Sequence, residues 1–86
     1  MATKEPSAVS TAYKEALFKI GGHILLSRRR LSLTQEDLVQ RCNAKQTVYL
    51  TRSRFSDIEN GKTEPTYLEI QAIASVMGKD LNEFIV

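Results

Sequence analysis

The stretch TRSRFSDIENGKTEPTYLEIQAIASVMG, residues 51–78, decides the fold. Thr51 can cap a helix in which Phe55 and Ile58, three residues apart, share a face, so a helix is expected over about 52–59. Asn60-Gly61 ends it, because glycine takes the positive φ that closes a helix. Thr63 to Thr66 reads as a turn around Pro65. Thr66-x-x-Glu69 is a capping box, and Leu68, Ile70, Ile73, Ala74 and Met77 carry the next helix to Gly78. Two helices and the stop between them therefore occupy this one run.

Working outward, Thr34-Gln-Glu-Asp37 approximates another capping box, with Glu36 and Asp37 suited to the positive end of a helix dipole. Leu38, Val39 and Cys42 form the apolar face of a helix over about 35–42, and Asn43 reads as its stop. Upstream, Tyr13, Leu17, Ile20, Ile24 and Leu31 recur at helical spacing, which predicts a first helix over about 11–30. Gly21-Gly22 inside it costs about 1 kcal/mol per glycine against alanine and leaves a break there open. Residues 1–10 read as a flexible arm and 11–86 as one domain. Asp80 can cap a short last helix over 81–85. Thr47-Val48-Tyr49-Leu50 favours extended backbone. Periodicity alone thus predicts an all-α, compact five-helix bundle.

The bulk numbers bound the function classes. At 86 residues with 42% apolar content, the chain is one small globular domain with a marginal core. Helix caps, and a partner subunit, are expected to support it. The single cysteine, Cys42, excludes an internal disulfide framework and fits a reducing cytoplasm. No apolar run has the length of a membrane span, and the N-terminus lacks the apolar stretch of a signal peptide. Net charge is +2. Its distribution is uneven: residues 23–62 carry +4, residues 63–86 carry −3. A basic middle suits an anionic partner, although a solvated charged surface explains it equally well. Cys42 and His23 read as structural, since no second histidine or cysteine exists to build a metal site. No nucleophile, base or metal constellation points to an enzyme, and no cofactor is expected.

The pieces SRRRLSLTQEDL, RFSDIENGKTEPTYLEIQAIASVMG and DLNEFI, in that order, resemble the phage-repressor and Cro-type helix-turn-helix domains, the XRE family. The resemblance covers about residues 20–85. It implies a lambda-repressor-like bundle in which the second and third helices form the helix-turn-helix and the third enters the major groove of DNA. Arg52, Ser53, Ser56 and Asp57 then face base edges. Arg52 stands where the family places its first base-reading side chain and can pair with guanine O6 and N7. Asp57 departs from the family's usual basic or amide residue; it either accepts from cytosine N4 or clamps Arg54. Thr34, Gln35, Lys45, Tyr49, Arg54 and Lys62 are candidates for the DNA backbone. The family also pairs the Glu59 position with the Arg28 position, tying the first helix to the third.

Two departures stand out. Against the family it resembles, the interval from Thr34 to Gly61 is roughly six residues longer than in a typical member. The surplus falls at about 44–49, which lengthens the turn. Ser27 stands where the family is usually apolar, and Phe18, Leu25 and Leu26 lie off the main stripe. Exposed together they would be a contact patch, covered by a second copy or by the N-terminal arm.

The resemblance implies a sequence-specific regulator of transcription that binds double-stranded DNA, a repressor acting as a homodimer on a palindromic operator. It would work in a bacterial or phage setting, in the cytoplasm and on the nucleoid, with a regulatory protein partner as a further candidate. The alternative is a protein-interaction module on the same fold, an antiactivator or an antitoxin, that has lost DNA readout. Asp57 and the long turn favour the alternative; Arg52, Arg54 and Gln35 oppose it.

Overall fold

The computed structural model describes residues 7–85, which form α1 (Ser7–Arg30), α2 (Gln35–Ala44), α3 (Arg52–Glu59), α4 (Tyr67–Val76) and α5 (Asn82–Ile85), with no strand among them. The capping signals set the boundaries. Thr34 and Thr66 each accept from the backbone N–H three residues on, and Asp37 and Glu69 return the bond to the cap residue's own N–H. Thr51 accepts from Arg54 N–H in the same way at the start of α3. At the other ends, α1, α3 and α4 close alike: Leu33 N–H reaches Arg28 O, Lys62 N–H reaches Asp57 O, and Lys79 N–H reaches Ala74 O. The residue before each donor sits in the left-handed region, Ser32 at φ 57°, Gly61 at 71° and Gly78 at 67°.

The first helix differs from its expectation in two ways. It starts at Ser7, so residues 7–10 of the expected arm are helical; residues 1–6 of that arm lie outside the described residues. It also runs unbroken through Gly21-Gly22. Gly21 is buried where α1 crosses the end of α3, and a Cβ there would collide with the carbonyl oxygen of Glu59. Close helix approach, not a break, explains that glycine. Leu17 and Ile24 are buried and Ile20 is half-buried, whereas Tyr13 and Leu31 are about half exposed (50% and 47%). Residues 10–16 are all exposed, so α1 projects beyond the body of the bundle. The longest dimension is accordingly 46 Å against 23 and 20 Å.

Ile24, Leu38, Cys42, Leu50, Phe55, Ile58, Ile73 and Phe84 fill the centre. They come from all five helices and, in Leu50, from the turn between α2 and α3. That turn, residues 45–51, is better held than a free loop. Ala44 is the last residue of α2, Val48 packs on the core, and Gln46 adopts the left-handed region at φ 65°. Asn43, expected as a stop, is helical and acts as a clasp. Its Nδ2 donates to Leu50 O at 2.8 Å and its Oδ1 accepts from Leu50 N–H at 2.7 Å. The side-chain amide thus replaces a strand neighbour for an extended, buried residue.

Of the expected patch, Phe18 and Leu26 are exposed (63% and 54%) and Leu25 is half-buried. Phe18 lies over the turn after α3, its Cδ1 at 2.8 Å from where a Gly61 Cβ would stand. Leu26 lines a cavity of about 290 Å³ nearer α5, with His23, Lys79, Glu83 and Phe84. Residues 18 and 25 are seven apart and share a face, and residue 26 lies about 80° round from residue 18 and about 12 Å along the helix.

Candidate nucleic-acid interface

The site is built on α3, an eight-residue helix too short to hold itself in water. Phe55 and Ile58 fix one face, at 0% and 1% exposure. With 100° per residue, Ser53, Ser56, Asp57 and Asn60 form the opposite strip, flanked by Arg52 on one side and Arg54 on the other. Arg52, Ser53 and Asn60 are exposed; Ser56 and Asp57 are half-buried. Arg52 makes no hydrogen bond or ion pair among the described residues, so its guanidinium is available to a ligand. Asn60 belongs to this strip and is legible in the sequence, four residues after Ser56, yet its place as a helix stop hides it. Its Nδ2 lies 3.4 Å from Ser56 Oγ. A side-chain amide there has the donor–acceptor pair that matches adenine.

Glu59 closes the far end of α3. It is buried, and its carboxylate accepts from Arg28 Nε (2.5 Å), Arg28 Nη2 (3.1 Å) and Gln35 Nε2 (2.9 Å). Arg28 Nη1 also donates to Leu33 O at 2.8 Å. One carboxylate therefore joins α1, α2 and α3, and every buried side-chain polar atom among the described residues has a partner. Gln35 is drawn inward by this contact. One N–H of its amide remains to donate to a phosphate.

Arg54 lies elsewhere than expected. It neither clamps Asp57 nor stands free for a phosphate. Its guanidinium grips Glu69 through Nε (2.9 Å) and Nη2 (2.7 Å), and donates to Thr63 Oγ1 and Glu64 O, both at 3.2 Å. Residue 54 projects about 200° from residue 52, toward the start of α4, and Glu69 is the carboxylate it meets there. Arg54 and the α4 cap hold the Glu69 carboxyl below its ordinary range.

The other candidates sit around this helix. Thr34 Oγ1 is engaged in its cap, accepting from Asp37 N–H at 3.0 Å. The Thr34 backbone N–H lowers the pKa of exposed Asp37. Ionised Asp37, with Glu36, makes the α2 N-terminus less welcoming to an anion than a bare helix end. Lys62 is exposed just past α3. Lys45 and Thr47 line a depression with Gln71, Ala72 and Ser75 of α4, while Tyr49 is 81% exposed. The lengthened turn thus lies beside α4 at its start and is exposed except at Val48 and Leu50. His23 donates from Nδ1 to Glu83 O at 2.9 Å and ties α1 to α5. Cys42 is fully buried, and burial pushes its thiol up to about 11.

Residues 25–84 match the family described as Helix-turn-helix, of the XRE type. The match spans more than half of the chain, and the chain belongs to that family. The five-helix arrangement is accordingly the lambda-repressor-like fold, and the domain is that of a DNA-binding regulator of transcription. Searches of the curated proteins and of the solved structures give no match. The family match begins at residue 25, so the projecting N-terminal part of α1 lies outside it.

Proposed function

We propose that the chain reads a specific duplex DNA sequence with α3 and represses transcription as a homodimer on a palindromic operator. The observation that carries this reading is the division of α3 into two faces. One is locked to the body by Phe55, Ile58, Glu59 and Arg54. The other presents Arg52 and Ser53 at the N-terminal end, where helices of this class meet base edges. Ser56, Asp57 and Asn60 continue the strip, and Gln35 and Lys62 flank it for the phosphates. A domain of this kind represses by occupying its site, in the cytoplasm and on the nucleoid of a bacterial or phage host. Two-fold pairing would set two α3 helices about 34 Å apart along one DNA face and make the operator palindromic.

The test is selection of binding sites from a random duplex pool with wild-type protein and Arg52→Ala. The variant is expected to lose preference at one base position in each half-site, a discrimination of about 1–3 kcal/mol. An unchanged preference would sink the assignment of Arg52.

A protein-interaction module remains the second reading because acids flank the proposed interface: Glu36, Asp37 and half-buried Asp57. A salt titration on random duplex separates the two. A DNA-binding chain loses affinity steeply as salt rises; an interaction module shows little affinity at any salt.

A further inference from the structure

The Arg54–Glu69 pair invites a role beyond holding the fold. Four of the five N–H donors of the guanidinium are committed, two to Glu69, one to Thr63 Oγ1 and one to Glu64 O. The Glu69 side chain is 11% exposed, and its Oε1 simultaneously accepts from Thr66 N–H at 2.8 Å. One carboxylate therefore caps α4 and grips α3. The grip falls two residues after Arg52 and one after Ser53, in the turn of α3 that presents both. The opposite end of α3 is fixed separately, through Glu59. A two-turn helix anchored at both ends has one orientation.

We propose that Arg54 is a positioning residue for DNA readout: through Glu69 it sets the angle at which Arg52 and Ser53 meet the bases, and it does not bind phosphate itself. The proposal rests on the DNA-reading function argued above. A planar guanidinium held by two parallel bonds resists rotation in a way a point charge cannot. Loss of either partner frees the first turn of α3 and spreads Arg52 over several directions. Contacts that need one geometry, those with base edges, weaken more than contacts with phosphates, which need only proximity.

The full chain and the variants Arg54→Gln, Arg54→Lys, Glu69→Gln and Arg54→Gln/Glu69→Gln would be titrated with the selected operator and with random duplex across a range of salt. In Glu69→Gln the side-chain amide keeps an oxygen for Thr66 N–H, so the α4 cap survives; that oxygen can still accept from Arg54 Nη2, but the Nε bond and the negative charge are lost, and with them the two-bond fork. Each single variant is expected to lower operator affinity about tenfold and random-duplex affinity far less. The slope of log K against log salt should stay at the wild-type value, and the double variant should bind about as the singles do. Arg54→Lys should behave like Arg54→Gln, because charge without the fork does not orient the helix.

A phosphate ligand gives the reverse pattern. Arg54→Gln would flatten the slope by about 0.9, Arg54→Lys would bind nearly as wild type, and Glu69→Gln, by freeing a cation, would bind more tightly. Any of these results overturns the proposal. If Arg54→Gln does not fold, Glu69→Gln and Arg54→Lys decide it by the same signs. A wild-type chain that binds no duplex at low salt overturns the functional reading, and this role with it.

Discussion

Replacing Asn43 with alanine should destabilise the domain more than any change at an exposed helix end. Asn43 occupies the last turn of α2, where a side-chain amide ordinarily contributes little. Here it supplies both partners of the Leu50 peptide, at 2.8 and 2.7 Å. Leu50 is 1% exposed, so truncation strands one donor and one acceptor beside the core. Each unsatisfied group costs about 1–3 kcal/mol. Asn43 is itself half-buried, so water can enter in its place and hold the sum to about 2–4 kcal/mol. A domain of this size has a total stability of about 4–13 kcal/mol. With about 4–8 °C per kcal/mol, the melting temperature should fall by about 8–32 °C. Circular dichroism melts give the shift, and urea titration gives the free energy. Asn43→Asp keeps an acceptor for Leu50 N–H but loses the donor, and should fall between. An Asn43→Ala melt within about 3 °C of wild type would refute the clasp.

Gly21→Ala should destabilise by about 1–3 kcal/mol, because the new Cβ meets two α3 carbonyl oxygens, that of Glu59 and, at 2.7 Å, that of Ile58. Gly22→Ala, with nothing within 4 Å, should stabilise by about 0.5–1 kcal/mol; equal effects in the two melts would remove the close-approach argument. Glu69 has a folded pKa below its reference value of 4.5, chiefly because Arg54 donates to the carboxylate. Its contribution is therefore present in full above about 4.5 and is lost as pH falls through the lower folded value, and Glu69→Gln should flatten that acid limb in pH-dependent melts. Cys42, fully buried with its thiol pushed up to about 11, should resist a disulfide exchange reagent at pH 8 until denaturant is added. Rapid labelling of the native chain at that pH would contradict its place in the core.

The parts legible in the sequence are those that a short range of residues determines. Thr34, Thr51 and Thr66 announce their helices because a hydroxyl bonds a backbone N–H three residues away, and nothing distant alters that. The apolar faces of α2, α3 and α4 follow from spacing for the same reason. The Arg28–Glu59 contact is reached only through family resemblance; its 31-residue separation is invisible to any local pattern. Gly21 looks like a helix break because the reason for it lies on α3. Asn43 looks like a stop because a helix stop and a long-range clasp use the same amide. Arg54 points to the wrong acid because Asp57, three residues on, is nearer in sequence than Glu69, fifteen residues on. The lengthened turn falls within a residue of its expected place, but its anchoring by Val48 and Leu50 depends on the packed core.

The two inward-facing arginines change how the charge of the middle segment should be understood. Residues 23–62 carry +4 by count, which suggests a strong field for an anion. Arg28 is neutralised by Glu59, and Arg54 by a carboxylate outside the segment. The cations left to face a ligand are Arg29, Arg30, Arg41, Lys45, Arg52 and Lys62, set against Glu36, Asp37 and Asp57. Such a surface attracts DNA only moderately, so non-specific binding is weak and affinity depends on the fit of a few side chains. Fit of that kind requires α3 to be held still. The same carboxylates that reduce the long-range attraction, Glu59 and Glu69, are the ones that hold it.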